Sequence, residues 1–188
     1  MHTAAKNRGF TLIEVLVVIA IIAVLAVVAI LDLNPAELLK QSRDSNRLSD
    51  MATIKNALSM YLDDAEMPVL GSPATCYEDL QSTSDCPWSA TASDTPLGNA
   101  SSSIDGSGWI PVDFDELSAG APFGSLPQDP INSTSGNYFY SYIVNGTDFK
   151  VTATMESKVY GEGGDRDAVS TDGGIDSSTY ETGTNLNL

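Results

Sequence analysis

A single carboxylate interrupts the apolar run near the N-terminus, and its position there demands a chemical explanation. Phe10–Leu31 contains 20 apolar residues among 22, and its two exceptions are Thr11 and Glu14. A charge near the centre of a bilayer costs up to about 3 kcal/mol, so a carboxylate in such a run needs a cationic partner. If the chain were cut after Gly9, the new amine of Phe10 would lie one helical turn from Glu14 on the same face. At about 4 Å and an effective dielectric near 20, that pair would attract by about 4 kcal/mol, within one chain or between neighbours.

The element that must position Glu14 is a helix long enough to cross a membrane. At about 1.5 Å per residue, a helix over Phe10–Leu31 extends roughly 33 Å, against about 30 Å for the bilayer core. Lys6 and Arg8 precede it, whereas the chain from Asp63 onward holds 20 acidic and 3 basic residues, a net charge of −17. Because basic flanks stay cytoplasmic, we predict a single-pass protein whose acidic body lies outside. An ordinary N-terminal anchor would have the same topology, but it gives no reason for Glu14.

The composition argues against an enzyme and against a nucleic-acid-binding protein. The one histidine, His2, lies in the segment that a cut after Gly9 would remove, which leaves no imidazole for acid–base catalysis or metal binding. A chain with a formal net charge of −16 is poorly suited to bind phosphate backbones. We therefore predict a protein that is not an enzyme and whose body does not contact nucleic acid. A membrane-anchored enzyme or binding protein, restricted to carboxylate chemistry, is the distant alternative.

The residues from Lys6 to Glu14, KNRGFTLIE, closely resemble the leader and cleavage site of prepilins. Prepilins are the precursors of type IV pilins and of type II secretion pseudopilins. The resemblance implies that residues 1–9 are a leader, removed between Gly9 and Phe10 by a prepilin peptidase on the cytoplasmic face. It also implies N-methylation of Phe10, and pairing of Glu14 with the Phe10 amine of an adjacent subunit during filament assembly.

After the transmembrane and assembly helix of residues 10–31, an amphipathic helix is predicted over residues 32–62. Asn34 can cap this helix and Pro35 suits its first position, where the missing N–H of proline also interrupts the helix before it. An apolar stripe follows at spacings of three and four residues, which indicates a helix face packed on a globular head. Its members are Leu48, Met51, Ile54, Leu58 and Tyr61.

The head is predicted over residues 63–188, and its first part, residues 63–108, has the composition of a loop. Cys76 and Cys86 are the only cysteines, and the predicted topology places them in an oxidising exterior. A disulfide between them would add about 2.5–3 kcal/mol of stability. The alternatives are free thiols or half of a metal site. Because two cysteines without a histidine lack the ligands for zinc, we expect the disulfide.

A small antiparallel sheet is predicted over about residues 109–160. A run of aromatic and β-branched residues ends at Asn145-Gly146, a strong hairpin signal. From Phe149 to Met155 apolar and polar residues alternate, which predicts one face towards the core and one towards solvent. A shorter strand is predicted near Trp109–Val112. The expected class is α+β, a long N-terminal helix packed on a small antiparallel head, as the resemblance to pilins also implies.

The C-terminal residues 161–188 are predicted to be an acidic, glycine-rich tail. Upstream, Leu126-Pro127-Gln128-Asp129-Pro130 resembles a segment of major pseudopilins and of some Gram-positive-type pilins. In the pseudopilins, acids of the C-terminal loop bind calcium. Carboxylates on a flexible loop suit calcium, although the spacing here differs from that of an EF-hand. The alternative is a solvated tail without an ion, and no other cofactor is expected. The acids in the matching region are Glu162, Asp165, Asp167, Asp172 and Asp176, of which we take Asp165, Asp167 and Asp172 as candidate ligands.

These features predict a structural subunit of a type IV pilus, stored in the cytoplasmic membrane and then polymerised into an extracellular filament. The expected partners are other copies of the chain, the prepilin peptidase, the pilus assembly machinery and, before assembly, the membrane. The alternative is the major pseudopilin of a type II secretion system, which would form a short periplasmic filament with the same assembly chemistry.

Overall fold

The computed structural model describes residues 9–81, 86, 88–89 and 94–188, without the side chains of residues 31–33. The predicted leader, residues 1–9, therefore lies outside the described residues except for Gly9. The chain divides into two compact units, Met1–Leu39 and Lys40–Leu188. Helix α1 spans Leu12–Leu33 and helix α2 spans Pro35–Asp64.

Asn34 separates the two helices, as the sequence predicts. Its backbone is left-handed, with φ 41° and ψ 73°, so the regular helix of α1 ends there. Its carbonyl then accepts hydrogen bonds from the backbone N–H groups of Glu37 at 3.0 Å and Leu38 at 3.3 Å, which form the first turn of α2. Pro35 occupies the first position of α2, where a missing N–H costs nothing.

Five strands form one sheet in the order β2-β1-β3-β4-β5. The pairs β1–β3, β3–β4 and β4–β5 are antiparallel, whereas β1 and β2 are parallel, so the sheet is mixed rather than wholly antiparallel. The β3–β4 hairpin turns at Asn145-Gly146 as predicted, with Gly146 at φ +66°. The strands are β1 (Thr75–Glu78), β2 (Thr95–Gly98), β3 (Tyr140–Asn145), β4 (Asp148–Thr154) and β5 (Thr179–Gly183).

The sheet reaches well beyond the predicted range of residues 109–160. Strands β1 and β2 lie in the predicted loop of residues 63–108, and β5 lies in the predicted tail of residues 161–188. These short strands are held by partners far away in the chain, which local composition does not reveal. The strand predicted at Trp109–Val112 is wrong. That segment is buried but irregular, and Pro111 in its middle has no N–H for a ladder.

The main core lies between α2 and one face of the sheet. The predicted stripe is confirmed, because Met51, Ile54 and Leu58 are fully buried and Tyr61 nearly so, with Leu48 packed at the margin. The facing sheet residues are aromatic and β-branched, which suits a pleated, buried surface. They include Tyr140, Tyr142, Phe149 and Val151. The α+β class and the packing of α2 on the head are therefore confirmed.

The opposite face of the sheet is also buried, which corrects the prediction that the polar residues of β4 face solvent. Lys150 and Thr152 have no exposed surface. The Lys150 ammonium donates to the Glu181 carboxylate at 2.9 Å and to the Trp88 carbonyl at 2.8 Å. The hydroxyls of Ser141 and Thr152 share a hydrogen bond of 2.7 Å. Polar groups can be buried here because their partners lie on the same face.

Candidate functional site

A reciprocal capping box forms the N-terminus of α1. The Thr11 hydroxyl accepts a hydrogen bond from the backbone N–H of Glu14 at 3.3 Å. In return, Oε2 of Glu14 accepts from the Thr11 backbone N–H and from the Thr11 hydroxyl, both at 2.9 Å. These bonds satisfy backbone donors that the first turn of a helix leaves without partners. This role of Thr11 was not predicted, although a threonine three residues before a glutamate is the usual signal for it.

The second carboxylate oxygen of Glu14 remains available. Among the described residues, both bonds to the carboxylate end on Oε2, and Oε1 accepts none. The cap therefore fixes the orientation of the Glu14 side chain while it leaves one charged oxygen for a further donor. Gly9 and Phe10, immediately before the cap, are exposed, and the Phe10 side chain is 84 % accessible.

The surface of α1 is apolar and uncovered. Leu12–Ile30 has a mean hydropathy of 3.3 and is long and apolar enough to cross a membrane. Every described side chain of α1 is exposed in the single chain. Exposure of such an apolar surface to water is unfavourable, so we expect lipid or another protein chain to cover it.

Arg47 of α2 lies at the centre of a buried ion-pair cluster that fixes this helix to the head. Its guanidinium binds the Asp129 carboxylate through two parallel bonds, at 2.6 and 2.9 Å. It also donates to Asp44 at 2.8 Å and to Glu156 at 2.6 Å. Arg43 adds two bonds to Glu156, at 2.7 and 2.6 Å. Although burial raises the pKa of Glu156, the hydrogen bonds from the two arginines outweigh it and lower that pKa.

The Leu-Pro-x-Asp-Pro segment, residues 126–130, carries the Asp129 carboxylate that binds Arg47. Leu126 is buried and the Trp109 indole donates to the Pro127 carbonyl at 2.9 Å, which holds the segment in place. Asp79, the residue directly after β1, supports the segment because its carboxylate accepts the Asp129 N–H at 2.7 Å. Burial raises the pKa of Asp79 to about 7, against the hydrogen bonds from the backbone of Asp129 and Tyr140. The segment thus anchors α2, a structural role that its residues alone do not reveal.

The two cysteines lie together beneath the polar face of the sheet. Cys76 and Cys86 are buried free thiols, and their Sγ atoms and a carboxylate oxygen of Glu78 lie within 4.8 Å of one another. The hydrogen bond with Cys86, followed by burial, raises the pKa of the Cys76 thiol. Ile143 and Leu188 pack around the pair and close it from solvent. The structure thus brings the predicted cysteine pair together without a bond between them.

The predicted calcium ligands are not brought together. Asp167 accepts hydrogen bonds from the backbone of Gly163 and Ser170, and Asp172 accepts from the backbone of Gly174 and Glu181. The carboxylates of Asp167 and Asp172 are therefore held by separate sets of backbone donors. Within the described ranges, the one group of three or more Cys, His, Asp or Glu donors close enough to share a metal ion is that of Cys76, Glu78 and Cys86. The arrangement of Asp165, Asp167 and Asp172 does not fit a calcium ion as it stands, and binding there stays a prediction.

Comparison with known proteins identifies the N-terminal residues. The family model described as the prokaryotic N-terminal methylation motif matches residues 4–30. No curated protein and no solved structure matches the chain. The matched range includes the Gly9–Phe10 junction, the Thr11–Glu14 cap and nearly all of α1. The chain thus carries the N-terminal methylation motif that is the hallmark of type IV pilins and pseudopilins.

Proposed function

We propose that this protein is a structural subunit of a type IV pilus, cleaved after Gly9, N-methylated at Phe10 and polymerised through α1 into an extracellular filament. One observation carries the proposal. Glu14, the single acid among the matched residues 4–30, lies four residues after Phe10 and keeps Oε1 free of hydrogen bonds among the described residues.

The exposed junction supports the processing step. The Gly9–Phe10 bond lies outside α1, in exposed chain that a prepilin peptidase on the cytoplasmic face can reach. A Cβ at Gly9 would meet nothing within 4 Å, so the free chain gives no steric reason for glycine at this position. The requirement for glycine therefore belongs to the peptidase, whose site accepts a residue without a side chain.

The charge of Glu14 supports the assembly step. Cleavage creates a cationic amine at Phe10, and in the apolar interior of a filament this amine pairs with Oε1 of Glu14 in a neighbouring copy. Such a pair is worth about 4 kcal/mol at 4 Å and an effective dielectric near 20. The apolar surface of α1 is covered first by lipid and then by the α1 helices of other copies, so the filament is a homopolymer.

The charge distribution supports an external head. Lys6 and Arg8 flank α1 on its N-terminal side, and the net charge of −17 lies beyond Asp63. The chain is therefore a single-pass protein of the cytoplasmic membrane before assembly. We further propose that it is no enzyme and that the acidic shaft does not bind nucleic acid.

The second candidate function is that of a major pseudopilin in a type II secretion system. The segment Leu126-Pro127-Gln128-Asp129-Pro130 favours it, because major pseudopilins carry a similar segment. Electron microscopy of a deletion strain separates the two functions. Loss of long surface fibres supports the pilus, whereas intact fibres with failed secretion support the pseudopilus.

In the exported head we propose a disulfide between Cys76 and Cys86. Both thiols are buried, close together and on the side of the membrane where oxidation is expected. Calcium binding by Asp165, Asp167 and Asp172 remains a weaker proposal, because the turn contacts of Asp167 and Asp172 would have to open first. Calorimetric titration of the full chain with calcium tests it.

The assembly step is tested by Glu14→Gln, with Glu66→Gln as the matched control. Glutamine at the third helical position also forms a capping box, so the variant keeps the cap and loses only the charge. Glu66 is an exposed acid of the head, and its replacement makes the same change of charge. We expect Glu14→Gln to be inserted and cleaved but to form no fibres, and Glu66→Gln to form fibres at the wild-type yield.

The fibres are counted by electron microscopy, and cleavage is followed by the mass of the membrane-resident protein. Wild-type fibre yield from Glu14→Gln would show that the charge is not used in assembly. If both variants lose their fibres, the cause is the change in net charge rather than the loss of a pair between Glu14 and the Phe10 amine.

A further inference from the structure

The strand geometry of β1 places a thiol and a carboxylate side by side. Cys76 and Glu78 are two residues apart, so both side chains point to the face of the sheet opposite the main core. Tyr77 between them points into that core and contacts Tyr142. The second thiol, Cys86, comes from the segment after β1 and has a left-handed backbone, with φ 46°.

These three side chains form a compact and closed donor set. Their Sγ and carboxylate oxygen atoms lie within 4.8 Å of one another, and their exposures are 0 % for Cys76 and Glu78 and 6 % for Cys86. Around a tetrahedral zinc ion, with bonds of about 2.0–2.3 Å, neighbouring donor atoms lie roughly 3.5–3.8 Å apart. The set therefore reaches zinc geometry with shifts of about 1 Å or less.

The electrostatics of the set favour a cation. Two thiolates beside a carboxylate in a buried space would repel one another, so the thiols lose their protons only when a cation takes the place of those protons. A divalent cation would compensate the charges of the two thiolates, and the Glu78 carboxylate is close enough to bind the same ion.

We propose that Cys76, Cys86 and Glu78 bind a zinc ion when the thiols are reduced. Two Zn–S bonds and one Zn–O bond form, and the two thiol protons pass to solvent. The Ser141 hydroxyl, opposite Glu78 in the β1–β3 register, or a water molecule completes the four ligands. The sequence alone argues against zinc because it supplies only two soft ligands, and the third comes from the fold.

Zinc binding and the proposed disulfide exclude each other, because both use the same sulfur atoms. A disulfide oxidant such as oxidised glutathione takes two electrons from the thiolates and is itself reduced to two glutathione molecules. The Cys76–Cys86 bond forms, and the ion is released. The head thus has a reduced, metal-bound form and an oxidised, metal-free form.

The proposal is tested on the full chain, purified in detergent under reducing conditions and titrated with Co²⁺ as a spectroscopic probe. We expect one ion per chain, a cobalt–thiolate charge-transfer band, displacement by Zn²⁺, and loss of the band when oxidised glutathione is added. Glu78→Gln should weaken binding at least about tenfold, since the loss even of groups that only orient a ligand has effects of this size. Glu66→Gln is the matched control and should bind as the wild type does.

X-ray absorption of the zinc-loaded wild-type chain makes the test independent of how the variants fold. Two sulfur and two lighter ligands are expected. The absence of a cobalt–thiolate band, an environment of four sulfurs or of oxygens alone, or unchanged affinity in a folded Glu78→Gln variant would overturn the proposal. These readouts do not involve fibres, so the zinc site and the pilin function can fail separately.

Discussion

Replacing Arg47 with methionine removes the cation that joins α2 to the head while it keeps an unbranched apolar side chain in place of the arginine stem. The guanidinium makes four bonds to three carboxylates, and the side chains of Arg47, Asp44 and Asp129 have no exposed surface. Removal of one member of a buried ion pair costs about 3–5 kcal/mol, because the remaining charges are left uncompensated. Here Asp44 and Asp129 keep backbone donors, which places the expected cost near the lower end, at about 3 kcal/mol.

The matched comparison is Asp129→Asn, which removes a charge of the opposite sign. The cluster holds three carboxylates and two arginines, so loss of one carboxylate balances it rather than leaving a charge without compensation. The cost should be limited to weaker hydrogen bonds with Arg47, about 1.5–3 kcal/mol. Arg166→Met, at an exposed site, should change the free energy of unfolding by less than about 0.5 kcal/mol.

Urea unfolding of the full chain in detergent, followed by the fluorescence of the buried Trp88 and Trp109, measures all three variants. We expect the loss of stability to be greatest for Arg47→Met, smaller for Asp129→Asn and negligible for Arg166→Met. A cost below about 1 kcal/mol for Arg47→Met, or a greater cost for Asp129→Asn, would refute the view that the cluster depends on its buried cation.

Three further outcomes are expected. The pKa of Asp79 rises to about 7 in the folded head, which therefore keeps a proton that the unfolded chain releases near pH 4. The stability of the head should therefore fall as the pH rises from 5.5 to 7.5, and the urea midpoints of Asp79→Asn should not show this fall. Non-reducing peptide mapping of exported protein should find Cys76 linked to Cys86, and alkylation of both thiols in assembled fibres would contradict the disulfide. Gly9→Val should accumulate uncleaved in the membrane, as the mass of the membrane-bound chain will show, and normal cleavage would remove the proposed role of glycine.

Elements set by local chemistry could be predicted from the sequence. The break at Asn34 and Pro35 follows from capping preferences and from the missing N–H of proline. The hairpin at Asn145-Gly146 follows from the left-handed conformation that glycine adopts readily. Four of the five stripe residues of α2 are fully or almost fully buried because the 3.6-residue period itself defines a face.

Elements set by distant partners could not be predicted. Strand β5 is short, polar and acidic, and it forms because β4 lies beside it. Lys150 has the pattern of a solvent-facing residue, but Glu181, 31 residues away, makes its burial possible. Arg47 meets Asp129 across 82 residues and Glu156 across 109, and nothing in the local sequence selects these acids among so many.

In the candidate site, too, residues that are contiguous in the chain could be predicted, whereas residues brought together by the fold could not. The motif from Gly9 to Glu14 is contiguous, so its residue types and spacing were enough to identify it. The association of Cys76 and Cys86 with Glu78 required the fold, because β1 lies inside a segment whose composition predicts a loop.

The central claim is that the chain is processed at the Gly9–Phe10 junction before it is used. Mass spectrometry of the N-terminal peptide, from protein isolated from its own cells, tests this claim most directly. We expect a mature chain that begins at Phe10 and carries one methyl group on its amine. A chain that still begins at Met1 in the assembled or surface-exposed material would contradict it.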